Sequence, residues 1–431
     1  MKRTATIAAV TGILAALAGC GGQSDPESSI KARIVVTPSS AMFYDSVSTV
    51  ISGLPANTRV TVSASADGGS TGTWSSTAQF ESDAAGVVSL SQPSVGGSYQ
   101  GSDAMGLVEA LAPSQLTSEY GEFFSPPGTG AFTIRLSAGV NGHVVGTGTM
   151  TRERGTVKPV TETPAATGVY GELFLPAHPT GPKPAVLVFG GSEGGIGRTV
   201  AEQGEALAAQ GYPALVVAYF DEPGLTTGLE NVPLEYFVKA LNLLAKQPGV
   251  DRNHLLVWGT SRGSEAALLL GAHFPNLVHG VIAGVPSAVV WGSYPSRGDA
   301  AWTLGGNPVP SAPLRDWNDP DPADAQNAII PVEQIRGPVF LVCGGQDQVW
   351  SSCPYTDAIS ARLARNHFPY PVTALHYPAA GHFGGDLIPF MPFADEDSPT
   401  ATLSGSGGTE LADEQAEAQS WPRLLAFLAQ Q

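Results

Sequence analysis

The pattern of apolar and polar positions changes character once along the chain. Between Ile30 and about Val160 the apolar runs are short and several alternate with Ser or Thr: Ala32 to Val36, Val47 to Ile51, Arg59 to Ala64, Trp74 to Phe80, Val87 to Leu90, Ala131 to Leu136 and His143 to Met150. Gly, Pro, Asn and Asp punctuate the gaps. Period-two alternation predicts half-buried strands, and about seven of them predict an all-β sandwich. From Gly96-Gly97-Ser98-Tyr99 through Met105-Gly106-Leu107 to Pro113 the pattern breaks into a turn and a short apolar segment, which suits a loop packed on a neighbouring domain.

Beyond residue 160 the runs become wholly apolar and alternate with helical patterns. Val169 to Leu175 and Ala185 to Phe189 read as paired strands. There follow a helix over Val200 to Gln210, a strand over Ala214 to Ala218, a helix over Leu234 to Gln247, a strand entering Gly259 and a helix leaving Gly263. Val278 to Val285, Pro338 to Cys343 and Val372 to Tyr377 complete the strands. Strand and helix in alternation predict an α/β domain with a mostly parallel, doubly wound sheet. Pro286 to Ile330 reads as an insertion capping the site. Its carboxylates Asp316, Asp319, Asp321 and Asp324 have no clustered His or Cys beside them, and read as solvated loop residues rather than metal ligands.

The chain's start belongs to neither pattern. Lys2 and Arg3 precede a short apolar run, Thr4 to Leu17, and Leu17-Ala18-Gly19-Cys20 has the form of a lipobox. The run is too short for a comfortable transmembrane helix. Residues 1–20 are therefore expected to be a lipoprotein signal peptide, with Cys20 the lipidation site, and residues 21–29 a flexible tether. Residues 30–160 form the expected β-sandwich and residues 161–431 the catalytic domain. The expected location is exported and lipid-anchored, on a bacterial membrane or cell surface. Cys343 and Cys353 are the other cysteines. An exported compartment permits a disulfide between them that would brace the loop after a strand, against a buried thiol and a separate loop thiol.

Charge and composition change this picture in two ways. A formal net charge of −17 with no Lys/Arg cluster repels polyanions and excludes a nucleic-acid partner. The 52 glycines make any glycine-based motif weak alone, and Gly-x-Ser-x-Gly indeed occurs at Gly68 to Gly72, Gly190 to Gly194 and Gly259 to Gly263. The first sits in a hairpin-like loop. The second follows a strand but runs into more glycine. Only the third stands between a strand and a helix, the setting of a nucleophile elbow, and makes Ser261 the candidate nucleophile. Asp347 follows one later strand and His382 the last, giving the chain order nucleophile, acid, base of an α/β-hydrolase. The alternatives are a helix cap at Asp347 and a turn hydrogen bond at His382. The loop after Phe189 is placed to give one oxyanion-hole N–H from Gly191 or Ser192, and Arg262, next to the nucleophile, the other. That loop lacks the Gly-Lys-Ser/Thr ending of a phosphate-binding loop. Acyl transfer by such a site needs no metal and no organic cofactor.

Six stretches carry a family resemblance: GGSYQGSDAMGLVEALAP (96–113), PLEYFVKALNLLAKQPGV (233–250), GTSRGSE (259–265), GGQDQVWSS (344–352), AGHF (380–383) and GGTELADEQAEAQSWPRLLAFL (407–428). With them the chain resembles the acyl-CoA thioesterase and bile acid-CoA:amino acid N-acyltransferase family. The resemblance implies an immunoglobulin-like first domain on an α/β-hydrolase domain, and a place for residues 96–113 at the domain interface near the site. It also implies a small-molecule acyl thioester substrate. Family members that conjugate bile acids carry cysteine as nucleophile and the hydrolases carry serine, so Ser261 favours hydrolysis. The expected function is thus a serine thioesterase acting through an acyl-enzyme. The alternatives are a carboxylesterase on non-CoA esters at the cell envelope, an acyl-CoA:amino acid N-acyltransferase, and a surface binding protein with a vestigial triad.

Overall fold

The computed structural model describes residues 30–116, 121–128, 130–155, 159–296, 298–313, 317–394 and 402–431. The expected signal peptide, lipobox and tether, Cys20 included, lie outside the described residues, as does Asp316. Among the described residues no helix is long and apolar enough to cross a membrane.

The first domain contains β1 (Arg33–Thr37), β2 (Ser40–Met42), β3 (Ser48–Ser52), β4 (Arg59–Asp67), β5 (Thr73–Glu81), β6 (Val88–Ser89), β7 (Gly96–Gly97), a short helix α1 (Gly106–Glu109), β8 (Ala112–Pro113), β9 (Glu122–Phe123), β10 (Phe132–Val140) and β11 (His143–Glu153). One sheet runs β1-β3-β6, and a larger one β2-β11-β10-β4-β5-β7, with β8 also on β5. Alternation drives the packing: Trp74, Ser76, Ala78 and Phe80 of β5 face inward while their neighbours face out. Val36, Ile51 and Val88 of the smaller sheet share one core with Val60, Val62, Phe80 and Ile134 of the larger. The glycines at 68–72 form the turn between β4 and β5, with Gly69 and Gly72 at positive φ.

The second domain contains β12 (Val160–Glu162), α2 (Pro164–Thr167), β13 (Tyr170–Phe174), β14 (Lys183–Phe189), α3 (Arg198–Ala209), β15 (Ala214–Ala218), β16 (Val232–Pro233), α4 (Leu234–Leu244), β17 (Val250–Thr260), α5 (Arg262–His273) and β18 (Gly280–Gly284). There follow β19 (Trp302–Leu304), β20 (Asn307–Pro308), β21 (Val339–Gly344), α6 (Ser352–Arg365), β22 (Val372–Tyr377), β23 (Phe393–Ala394) and α7 (Glu410–Leu428). The main sheet has the order β12-β13-β15-β14-β17-β18-β21-β22, parallel from β15 to β22 and antiparallel at β12 and β13. The sheet is therefore mixed. β13 and β14 are not neighbours, contrary to the paired strands expected from their closeness in sequence: β15 lies between them. β14 is buried from Ala185 to Phe189 and takes parallel neighbours on both sides, reached through helical crossovers, which leaves β13 to add antiparallel to β15.

The domains meet along a seam built on α7. Tyr44 lies against Trp421 with ring centroids 5.3 Å apart. The buried Arg152 guanidinium donates to the carbonyls of Phe43 and Asp45 and lies 5.7 Å from the Phe390 ring. Arg154 approaches Glu202 and Glu205 at 3.7 and 3.5 Å, and Gln415 Nε2 donates to Asp103 at 3.2 Å. A two-stranded sheet of β9 and β23 adds a backbone link.

The seam is rich in buried carboxyls. Burial pushes Glu202 and Asp386 up to about 7 and Asp413 up to about 8, against partial relief from Arg198 and Arg154 at Glu202 and from backbone N–H groups at Asp413. Glu414 and Glu417, side by side, are likewise driven up by burial. In the unfolded chain such groups lose their protons near pH 4. Between the two values the folded state holds more protons, so stability falls as pH rises through the window. Melting temperature is expected to drop between about pH 5 and about pH 8; thermal melts showing an increase over that range would refute the assignment of these carboxyls as protonated.

Candidate active site

Strand β17 and helix α5 meet at Ser261, whose backbone is left-handed at φ 56° and ψ −124°. That conformation is strained for a residue with a Cβ and persists only where the surroundings enforce it. The flanking glycines allow it. A Cβ on Gly259 would stand 2.1 Å from the Gly263 carbonyl oxygen, and one on Gly263 would stand 2.2 Å from that of Gly190. The Ser261 N–H donates to Gly284 of the next strand at 3.0 Å.

Asp347 lies on the loop from β21 to α6, which the Cys343–Cys353 disulfide closes. Of the two readings of these cysteines the structure has the bridge. Asp347 Oδ1 accepts from the N–H groups of Val349 and Trp350 at 3.0 and 3.2 Å. His382 follows β22. Its Nδ1 stands 2.9 Å from Asp347 Oδ2, and its Nε2 stands 2.8 Å from Ser261 Oγ. An acceptor-only carboxylate fixes the proton on Nδ1 and leaves the Nε2 lone pair facing the serine hydroxyl. The Trp350 ring meets the imidazole edge-on at 5.7 Å and is held by its indole N–H on Val285. The structure thus brings Ser261, Asp347 and His382 together from the ends of three strands.

Burial alone would pull the His382 pKa down. Asp347, by charge and hydrogen bond, with Asp386 and Asp413 farther out, outweighs that, so the net shift is upward from the ordinary value.

The glycine loop after β14 lies beside the serine. The Gly191 N–H donates to Glu193 Oε1 at 2.8 Å, and the Tyr219 hydroxyl lies 2.9 and 2.8 Å from the Gly190 and Gly191 carbonyl oxygens. Desolvation of the Glu193 carboxyl raises its pKa, against relief from the Gly191 N–H. Arg262 opens α5, where a first-turn N–H has no acceptor within the helix. Its side chain serves another purpose. Nε pairs with Glu265 at 2.7 Å, and Nη2 donates to the carbonyls of Trp291 and Gly292, each at 2.9 Å. The Trp302 indole donates to the same glutamate at 3.0 Å. A buried ion pair on the elbow helix therefore anchors the insertion after β18.

A cavity of 400 Å³ opens over Ser261 and His382, lined also by Ser192, Glu193, Tyr294, Phe383, Phe393 and, from the first domain, Phe123. Tyr294 is the insertion's contribution. Sequence reasoning missed Glu193, Glu265 and Phe123. Glu265 lies three residues after Arg262, an ion-pair spacing that was visible. Phe123 carries no local signal. The irregular segment 96–113 packs α1 on α7 and does not enter the cavity. Among the described residues, Cys343, Cys353 and His376 are the one group whose ligand atoms lie close enough to share a metal ion, all within 4.8 Å, but their two sulfurs are bonded to each other.

The imidazole is expected to titrate above the ordinary histidine value, and Asp347→Asn should lower its midpoint. Histidine NMR titration of the two proteins reads this directly. Equal midpoints would show that Asp347 does not set the protonation of His382.

Comparison with known proteins bears on most of the chain. The model described as acyl-CoA thioester hydrolase/BAAT N-terminal region matches residues 45–162, and that of the BAAT/acyl-CoA thioester hydrolase C terminal matches residues 232–299 and 312–431. Mitochondrial acyl-coenzyme A thioesterase 2 of Homo sapiens is 27% identical over 417 residues, spanning 92% of this chain and 83% of its own. Acyl-coenzyme A amino acid N-acyltransferase 1 of Mus musculus is 28% identical, spanning 92% and 96%. Among solved structures, a dienelactone hydrolase-like promiscuous phosphotriesterase from metagenomic libraries is 20% identical with a TM-score of 0.40, over 64% of this chain and 98% of its own. This chain belongs to the acyl-CoA thioesterase and bile acid-CoA:amino acid N-acyltransferase family.

Proposed function

We propose that the protein is a serine hydrolase that cleaves acyl thioesters or esters to a free acid and a thiol or alcohol. The observation that carries this reading is the unbroken line from Asp347 through His382 to Ser261 Oγ, at 2.9 and 2.8 Å. His382 Nε2 takes the hydroxyl proton as Ser261 Oγ bonds to the substrate carbonyl carbon. Asp347 holds the ring and balances the imidazolium. The protonated His382 then gives its proton to the leaving thiolate or alkoxide, and the acyl group stays on Ser261. Water, deprotonated by His382, releases the acid by the reverse sequence. We assign the oxyanion donors to the backbone N–H groups of Arg262 and Ser192. Between the two loop candidates, Gly191 already donates to Glu193, which favours Ser192.

Serine at position 261, rather than cysteine, supports hydrolysis over amide synthesis. A second reading has its own support. The charged side chains lining the cavity are Glu193, Arg198 and Asp386, and Arg198 Nε is paired with Glu202 at 2.7 Å. This lining suits an uncharged carboxylic ester better than the polyanionic leaving group of an acyl-CoA. We read the first domain's packed sheets as the immunoglobulin-like sandwich of the family, and Lys2 through Cys20 as the signal for export and lipid anchoring at Cys20.

Ser261→Ala should lower turnover of p-nitrophenyl and CoA esters by about 10⁴-fold or more without unfolding the protein. Retained turnover, or failure of a fluorophosphonate probe to label the native protein at Ser261, would eliminate the serine mechanism. Kinetics with acyl-CoA beside simple esters choose the leaving group. In a bacterial host fed labelled palmitate the full chain should carry label and Cys20→Ala none; label in both would reject Cys20 as the anchor.

A further inference from the structure

The first domain reaches the catalytic cavity through one short strand. β9 pairs antiparallel with β23, Phe123 opposite Phe393, and the Phe124 N–H donates to the Pro392 carbonyl at 2.9 Å. This pairing gathers three rings. Phe383 and Phe393 have centroids 4.3 Å apart, Phe123 and Phe393 4.6 Å, and Phe123 meets Phe383 edge-on at 6.1 Å. All three line the cavity over Ser261 and His382. Much of the remaining lining is polar: the glycine loop, Glu193, Arg198, Thr199 and Asp386. An apolar chain leaving water therefore gains most against the three rings.

The same rings limit how far it extends. Phe123, Phe383 and Phe393 also face a second cavity of 20 Å³, walled in addition by Ile388, Met391 and Leu403 and by carboxyl-bearing residues that include Asp413, Glu414 and Glu417. That space holds about one water molecule. An alkyl tail pushed past the rings would find room for little more than one methylene, and would bring hydrocarbon against the carboxyl groups on that wall. The main cavity, at 400 Å³, is near the lower end of the roughly 300–1,000 Å³ usual for ligand pockets, and it must also admit the leaving group.

We propose that the substrates are esters or thioesters of short acyl chains, and that Phe123, supplied by the first domain, sets the length limit. The inference rests on Ser261 being the acylated nucleophile. Phe123 contacts the acyl chain and takes no part in proton transfer.

The test uses the full chain with p-nitrophenyl acetate, butyrate, octanoate and decanoate. Wild-type kcat/KM should peak at acetate or butyrate and fall about tenfold or more by decanoate. Phe123→Ala should raise the octanoate-to-butyrate ratio by about tenfold, since each accommodated methylene is worth about fourfold. Phe123→Leu, which keeps the wall, should stay within about twofold to threefold of wild type. Wild-type preference for octanoate or decanoate would overturn the proposal. So would an unchanged ratio in a Phe123→Ala protein that still labels with fluorophosphonate. If that variant does not label, the wild-type and Phe123→Leu profiles decide. A native protein that neither labels nor hydrolyses any of the esters would instead sink the underlying hydrolase reading.

Discussion

Ser261 can face His382 only because the chain turns there through a left-handed conformation, and much of the site's geometry follows from how that turn is tolerated. Gly259 and Gly263 are backbone surfaces pressed against other backbone, and one of the surfaces they meet is the carbonyl of Gly190. The elbow and the glycine loop therefore share a contact with no side chain between them. Displacing one displaces the other, so Ser261 and the glycine loop form one rigid unit. The Arg262–Glu265 pair extends this rigidity outward. Its buried charges are tolerable because Trp291, Gly292 and Trp302 supply further hydrogen bonds.

How much of this was legible depends on whether the cause was local. Strand, tight turn and helix around Ser261 are periodic over neighbouring residues, and Asp347 and His382 stand where strands end, so the sequence showed all three. The disulfide stayed open as a choice because thiol pairing depends on where two ends of a loop come to rest. The expected pairing of β13 with β14 failed because closeness in sequence is a poor guide to neighbours in a doubly wound sheet. α7 shows a different failure. Glu410, Asp413, Glu414 and Glu417 are all buried, although a polarity pattern assigns such residues to the solvent. The pattern presumes ionised carboxyls, and at least Asp413 and Glu414 hold their protons unusually tightly.

The seam between the domains is also part of the electrostatic surroundings of His382. Asp386 and Asp413 both raise the affinity of His382 for its proton. Asp413 further accepts from the Gly381 N–H, immediately before the histidine. Packing of the first domain on α7 and placement of the imidazole are thus adjacent events in one core. Two units that read as separate domains in sequence share a single continuous hydrophobic cluster, running from Val36 and Trp74 to Phe340 and Phe427.

The pairing of β9 with β23 also bears on how the protein is made. Phe123 emerges early in synthesis, whereas Phe393 and α7 emerge near the end. Until then the first domain has neither its strand partner nor the helix against which Tyr44 and Asp103 close the interface. Contacts of such wide sequence separation form late, after the local sheets are in place. Until both ends of the chain are in place, the cavity over Ser261 therefore lacks the wall that Phe123, Phe383 and Phe393 form together.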